Sequence, residues 1–265
     1  MDGMNELGVA ISVLLLSNKS THQSNPDLVD ITTSIIIRGI LDTCANVEEA
    51  IAFFTKFNVH DAIEGNSFHF MITDALGDSV VIEYINNEMK IIKPDINKKS
   101  NYLYVTNFYL SYDRGSSKKG YDRYLILEKY LNDNNIIMEW YNAMELLNKV
   151  QMGITLWSNV YDTKNSTVIS SIGKDYSILY EFNIFNPMKK IIKTLPDPDP
   201  EPDPISDMEP ETSSEPESST DSQPSSEPEP PTDIETEDIT TSESQLSSSY
   251  FKNSFLVLIS MMIIF

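Results

Sequence analysis

Cysteine and histidine are the residue types considered first for chemistry in this sequence, as candidate nucleophile, base or metal ligand. Cys44 is the single cysteine among 265 residues, and a thiolate is an intrinsically strong nucleophile. It ends the apolar segment IIIRGILDTC without a histidine close by in sequence, which favours a small buried side chain over a nucleophile. The histidines His22, His60 and His69 lack the spacing of metal ligands, so the sequence predicts no metal site.

The elements that must position any site lie in residues 1–195, which have the composition of a folded domain. The apolar run at residues 9–16 has the length of a buried strand. Asp30 is the expected N-cap of a helix through ITTSIIIRGILDTC. Asn46, with Glu49 three residues later, predicts a capping box before a second helix, VEEAIAFFTKF.

Strands and helices come in separate runs in the remainder of this domain. The patterns predict a hairpin with a third strand, then two helices, then three final strands. In order, these segments are SFHFMITDA, SVVIEYI, MKIIK, DRYLILEKYL, MEWYNAMELLNKV, GITLWSNVYD, STVISSI and YSILYEFNI. Runs of strands separated by runs of helices favour antiparallel sheets with helices layered outside them, so the expected fold class is α+β.

Residues 196–249 differ in composition from the domain. Residues 196–243 contain 17 acidic residues and no Lys or Arg, and they carry most of the net charge of −21. Because such a segment buries too little apolar surface to fold, we expect a disordered acidic stalk rich in Pro, Ser and Glu. An acidic tail without a spacer role is the alternative.

Residues 250–265 end in the apolar run FLVLISMMIIF. As a helix this run would span roughly 16 Å, about half of a bilayer core of roughly 30 Å. Small residues, a polar spacer and a terminal apolar tail match the order of a glycosylphosphatidylinositol (GPI) attachment signal. The candidate attachment residues are Ser247, Ser248 and Ser249. The alternatives are a poorly inserted tail anchor and an accidental apolar terminus.

An attachment signal of this kind predicts a protein of the cell surface or secretory pathway, anchored to a membrane at its C-terminus. Sequons at Asn18 and Asn165 are candidate glycosylation sites on that route. The location requires an N-terminal secretory signal, and none precedes the first strand.

The charge of the folded part argues against nucleic acid as a partner. Residues 1–195 contain 23 acidic and 18 basic residues, a net charge of −5. They show no basic stripe with interleaved aromatic residues, which nucleic-acid binding would require. The oligomeric state stays open.

The opening segment DGMNELGVAISVL resembles the DGMNEKGL signature of the choloylglycine hydrolase family. These linear amide C–N hydrolases include bile salt hydrolases and penicillin V acylases. The resemblance continues in order through RGILDTCANVEEAI, DALGDSVVIEY, YVTNF, GYDRYLILEKYL and TLWSNVYD, and it covers most of residues 2–183.

The resemblance implies an N-terminal-nucleophile hydrolase with an αββα sandwich and a small-molecule acyl amide as substrate. In such enzymes an N-terminal cysteine attacks the amide. Its own amino group, with a pKa near 8, accepts the thiol proton. This mechanism needs no metal or organic cofactor.

Three supporting site residues follow from the resemblance. Asn107 in YVTNF matches the asparagine that donates to the oxyanion, and Arg123 in YDRY matches an arginine whose charge favours the thiolate. Leu15 stands where the best-known members have Asn or Tyr, so we expect it to offer only its backbone N–H. From the residues alone, a turn residue at Asn107 and a solvated helix residue at Arg123, beside Asp122, are the favoured interpretations.

No residue of this sequence corresponds to the nucleophilic cysteine of the family, because Cys44 matches a helical cysteine with another role. By itself, the chain is therefore expected not to turn over an amide. Three hypotheses follow. The chain is an N-terminally incomplete cysteine amidase whose sandwich lacks its first strands, or it is a non-catalytic binding module on an acidic stalk. The third hypothesis is a truncated fragment that does not fold. The sequence does not indicate which amide is the substrate.

Overall fold

The structure is a computed structural model that describes residues 1–16, 20–61, 65–94, 102–112, 119–132 and 139–190. The predicted stalk, the predicted tail with Ser247, Ser248 and Ser249, and the sequon at Asn18 all lie outside the described residues. Within the described ranges, no helix is long and apolar enough to cross a membrane.

The described residues form four helices and eleven strands. The helices are α1 (Thr33–Thr43), α2 (Val47–Phe54), α3 (Tyr121–Leu131) and α4 (Trp140–Lys149). The strands are β1 (Asp2–Met4), β2 (Ala10–Leu16), β3 (Val29–Thr32), β4 (Phe57–His60), β5 (Ser67–Thr73), β6 (Ser79–Ile85), β7 (Glu88–Ile92), β8 (Trp157–Asp162), β9 (Thr167–Ile172), β10 (Asp175–Asn183) and β11 (Asn186–Lys190).

Two antiparallel sheets stack face to face between two pairs of helices. The first sheet has the strand order β1-β2-β5-β6-β7 and the second has the order β11-β10-β9-β8. One apolar core lies between α1, α2 and the first sheet, and another lies between α3, α4 and the second sheet. A third core, which includes Leu14 and Tyr161, joins the two sheets. The layers are therefore α, β, β, α, as expected.

Strand β2 shows why its sequence is a continuous apolar run. Ile11 and Val13 pack in the core beneath the helices, whereas Ala10 and Leu14 face the second sheet. All seven residues of β2 are buried, because both faces of this strand are covered.

The predicted N-cap of α1 is wrong. Helix α1 begins three residues after Asp30, with Thr32 at its N-cap and no side-chain cap bond. Asp30 instead lies in β3, which pairs in parallel with β4, and its carboxylate accepts a hydrogen bond from Asn58 Nδ2 at 3.1 Å. Pairing with a strand distant in sequence thus extends the backbone that the local pattern assigned to a helix.

The predicted cap of α2 is confirmed. Asn46 Oδ1 accepts a hydrogen bond from the Glu49 N–H at 2.9 Å. The Glu49 carboxylate accepts from the backbone N–H of Ala45 at 2.8 Å and from Asn46 Nδ2 at 3.2 Å. The return bond of the capping box therefore falls one residue before the N-cap.

The remaining predicted strands and helices are present with shifted ends. The strands that the patterns did not single out are β1, β3, β4 and β11, each three to five residues long. Such short strands show little periodicity of their own and depend on a paired neighbour.

The two N-caps make a matched test of local stabilisation. We expect Asn46→Ala to lower the free energy of unfolding by about 1 kcal/mol, because the Glu49 N–H loses its acceptor. Thr32→Ala, at the N-cap that makes no side-chain cap bond, should cost clearly less. Urea unfolding followed by circular dichroism measures both, and equal losses would contradict the assignment.

Candidate active site

The segment between β7 and α3 places polar side chains inside the protein. Residues 105–111, here called the buried loop, have neither helical nor strand structure in the described chain. The first five, from Val105 to Tyr109, are each no more than 9% exposed. Loops usually lie on the surface, because buried backbone groups need hydrogen-bond partners. A buried irregular loop therefore depends on side chains placed to meet it.

Asn107 in the buried loop is held on both sides of its amide. Its Nδ2 donates to the carbonyl of Leu15 on β2 at 2.8 Å. Its Oδ1 accepts from Arg123 Nη2 at 2.7 Å. The structure thus brings together the three supporting residues that the sequence predicts, although they lie up to 108 positions apart.

Leu15 meets Asn107 through its carbonyl. The family resemblance implies that its backbone N–H contacts the oxyanion, and that contribution stays a prediction. The observed bond gives Leu15 a positioning role, since it fixes the direction of the Asn107 amide.

Arg123 is buried, not solvated. It lies in the first turn of α3 and is 8% exposed. Burial lowers the pKa of its guanidinium, and Asp122 opposes that effect. Because arginine is by far the most basic side chain, the group remains charged at neutral pH. A charged donor strengthens its hydrogen bond to the Asn107 amide oxygen.

This arrangement polarises a side-chain amide. The Asn107 nitrogen carries two hydrogens, and the bond to Leu15 uses one of them. The positive guanidinium beside Oδ1 draws electron density from the amide and makes the nitrogen a stronger donor. Chemically, the pair can present a fixed donor to a carbonyl oxygen or to the oxyanion that forms from it.

Gly120 is a residue of this site that sequence reasoning missed. It precedes α3 with φ +78°, a conformation that favours glycine. A Cβ atom there would lie 2.4 Å from Arg123 Nη2. Its carbonyl also accepts from Thr106 Oγ1 at 3.0 Å, which ties the buried loop to the start of α3. The signal in the sequence is a glycine immediately before a helix.

Cys44 occupies a structural position, as the sequence analysis favours. It is 3% exposed in the core beneath the helices, and burial raises the pKa of its thiol. Its carbonyl accepts from Asn5 Nδ2 at 2.8 Å. A buried thiol with a raised pKa is a poor nucleophile.

The histidines are engaged in separate places. The rings of His22 and His60 are in edge contact, with centroids 4.0 Å apart. His69 lies 3.2 Å from Glu83. Among the described residues, no group of three or more His, Cys, Asp or Glu side chains is placed to hold a metal ion.

Asn165 lies exposed in the turn between β8 and β9. Its side chain donates to Asp162 Oδ2 at 2.7 Å. Glycosylation at this sequon stays a prediction.

Two facing sheets between helix pairs form an αββα sandwich, the fold that the resemblance implies for an N-terminal-nucleophile hydrolase. The family model described as acyl-coenzyme A:6-aminopenicillanic acid acyl-transferase matches residues 1–183. The chain therefore belongs to that family, and the resemblance to the linear amide hydrolases is confirmed.

One curated relative matches part of the chain. Penicillin V acylase from Pectobacterium atrosepticum is 30% identical over 115 residues, which are 40% of this chain and 29% of that protein. The alignment thus spans less than a third of the length of this relative.

Solved structures share the fold. A variant of conjugated bile acid hydrolase from Clostridium perfringens matches with a TM-score of 0.52 at 13% identity, over 73% of this chain and 77% of that one. Penicillin V acylase from Agrobacterium tumefaciens matches with a TM-score of 0.50 at 18% identity, over 70% of this chain and 66% of that one.

Gly120→Ala tests the packing of glycine against Arg123. Gly173→Ala is a matched control, because Gly173 also has a positive φ of 63° but an added Cβ would meet nothing within 4 Å. We expect Gly173→Ala to cost about 1 kcal/mol of backbone strain. Gly120→Ala should cost at least about 1 kcal/mol more, because the guanidinium must move. Equal losses in urea unfolding would contradict the role of Gly120.

Proposed function

We propose that this chain supplies substrate-binding and oxyanion-stabilising residues for hydrolysis of a linear amide C–N bond. The substrate is a small-molecule acyl amide of the N-acyl amide or conjugated bile salt type. The observation that carries the proposal is the Asn107 amide, fixed by Leu15 on one side and polarised by Arg123 on the other.

The geometry suits the chemistry of amide cleavage. Attack on an amide carbonyl places negative charge on its oxygen, and donors fixed before the reaction stabilise that charge most effectively. Asn107 is such a donor, because neither its amide oxygen nor its nitrogen can turn without breaking a bond. The relatives are named for penicillin V and conjugated bile acids, and both compounds contain an acyl amide.

The nucleophile of the proposed reaction is an N-terminal cysteine, as the resemblance implies. Cys44 does not fit that role, since it is buried and its thiol pKa is raised. The proposal therefore gives the 265-residue chain the ability to bind an acyl amide without cleaving it. Hydrolysis belongs to a protein that combines these residues with an accessible N-terminal cysteine.

A non-catalytic binding module is the second candidate. It needs Asn107 and Arg123 but no nucleophile, and it differs from the first candidate because no form of the protein would cleave the amide. We also propose a surface location with attachment through residues 250–265. The composition of residues 196–265 supports this location.

Substitution of Asn107 tests the binding role. Asn107→Ala should weaken binding of an acyl amide about fivefold, because one hydrogen bond to the carbonyl is lost. Asn107→Asp should weaken it further, since a carboxylate cannot donate to a carbonyl oxygen. Calorimetric titration with penicillin V, a glycine-conjugated bile salt and an N-acylethanolamine measures the effect.

Asn165→Ala, in an exposed turn, is the matched control and should bind like the unmodified chain. If Asn107→Ala binds an amide of the panel with the same affinity as the unmodified chain, the binding role is contradicted. Failure of the unmodified chain to bind any compound of the panel would also contradict it.

A turnover assay distinguishes a structural role of Cys44 from a role as nucleophile. The 265-residue chain should release no product from the same three amides, measured by chromatography. If product appears and Cys44→Ser abolishes it, Cys44 is a nucleophile and its structural assignment is wrong.

A further inference from the structure

Glu83 is a buried carboxylate outside the Asn107 site. It lies on β6 with a side chain that is 0% exposed. It shares a face of the first sheet with Val81, which packs in the core between the sheets. A charge in such a place is costly unless hydrogen bonds compensate it, so its partners indicate what it does.

The partners of Glu83 come mainly from the end of the buried loop. Its Oε1 accepts from the Leu110 N–H at 2.8 Å. Its Oε2 accepts from the Ser111 N–H at 3.1 Å and from Ser111 Oγ at 2.6 Å. His69 Nδ1 lies 3.2 Å from Oε1 and fixes the orientation of the carboxylate.

These bonds keep the carboxylate ionised. Burial alone would raise the pKa of Glu83, but hydrogen bonds from His69, Ser111 and the Leu110 N–H outweigh burial and lower the pKa. An ionised carboxylate accepts from all four donors at once, which a neutral amide cannot do.

The buried loop is thus anchored on two different strands. Asn107 is bonded to Leu15 on β2, and Leu110 is bonded to Glu83 on β6. Strand β5 lies between these strands, so the anchors are separated by two strand spacings, about 10 Å. Only two residues lie between Asn107 and Leu110, so both anchors act on the same short stretch of backbone.

The strand register places the two anchoring residues, Leu15 and Glu83, at nearly the same position along the strands. Leu14 pairs with His69, and the pairing of Phe70 with Ile82 places Glu83 beside His69. Leu14, His69 and Glu83 thus form a row across the sheet, and Leu15 follows Leu14 directly on β2. Because Leu110 is only three positions from Asn107, we expect a backbone shift at Leu110 to change the position of Asn107.

We propose that Glu83 is a positioning residue that holds Asn107 in place for the substrate by anchoring the backbone of Leu110 and Ser111. The effect on ligand binding rests on the proposed function. The hold on the buried loop does not, so the two are tested separately.

Hydrogen exchange tests the hold on the buried loop. In Glu83→Gln, amide exchange in peptides that cover residues 105–111 should become about tenfold faster, whereas peptides from β8 to β10 should not change. Ser111→Ala, at an exposed residue, should give a smaller increase and serves if Glu83→Gln does not fold. Glu88→Gln, at an exposed residue of the neighbouring strand β7, should behave like the unmodified chain. Unchanged loop exchange in both Ser111→Ala and Glu83→Gln would overturn the proposal.

A double-mutant cycle tests whether Glu83 acts through Asn107. Glu83→Gln should weaken binding of penicillin V, or of whichever amide of the panel binds, about fivefold in the unmodified chain. It should have no further effect in an Asn107→Ala chain. A loss of equal size in both backgrounds would overturn the positioning role. If no amide binds the unmodified chain, the proposed function fails, and hydrogen exchange still decides the hold on the loop.

Discussion

A charged guanidinium bonded to a side-chain amide inside the protein links a helix, a loop and a sheet at one point. Arg123 is paired with Asn107, and Asn107 is paired in turn with the Leu15 carbonyl. Removing one member leaves a buried polar group without its partner, and such groups are expensive. The start of α3, the buried loop and β2 must therefore keep their relative positions.

The layered fold explains how such a site can be rigid. Strand β2 is covered on both faces, by helices on one side and by the second sheet on the other. It therefore offers a fixed carbonyl at Leu15. The buried loop has no regular structure of its own, so its shape depends on anchors in the layers around it. Glu83 and Gly120 supply two of these anchors, through a carboxylate that receives backbone N–H groups and a carbonyl that receives the Thr106 hydroxyl.

Local features could be predicted from the sequence, and non-local ones could not. Asn46 caps α2 through a bond to a residue three positions away, so its pattern is visible in a short window. The N-cap predicted at Asp30 was wrong because β3 forms by pairing with β4, whose residues lie 28 positions later. The parts played by Asn107 and Arg123 came from a family resemblance, since neither residue type is distinctive alone. No local sequence pattern indicated the role of Glu83, because its partners in the loop are 27 and 28 positions away.

In the proposed function, the Asn107 amide faces the carbonyl of a bound acyl amide. Titration of the ¹⁵N-labelled chain with penicillin V, or with another amide of the panel that binds, tests it through the side-chain NH₂ signal of Asn107, assigned with Asn107→Asp. We expect a saturable shift of this signal that follows the binding isotherm and is larger than the shift of the Asn165 signal. Saturable binding that leaves the Asn107 signal unmoved would contradict the proposed function.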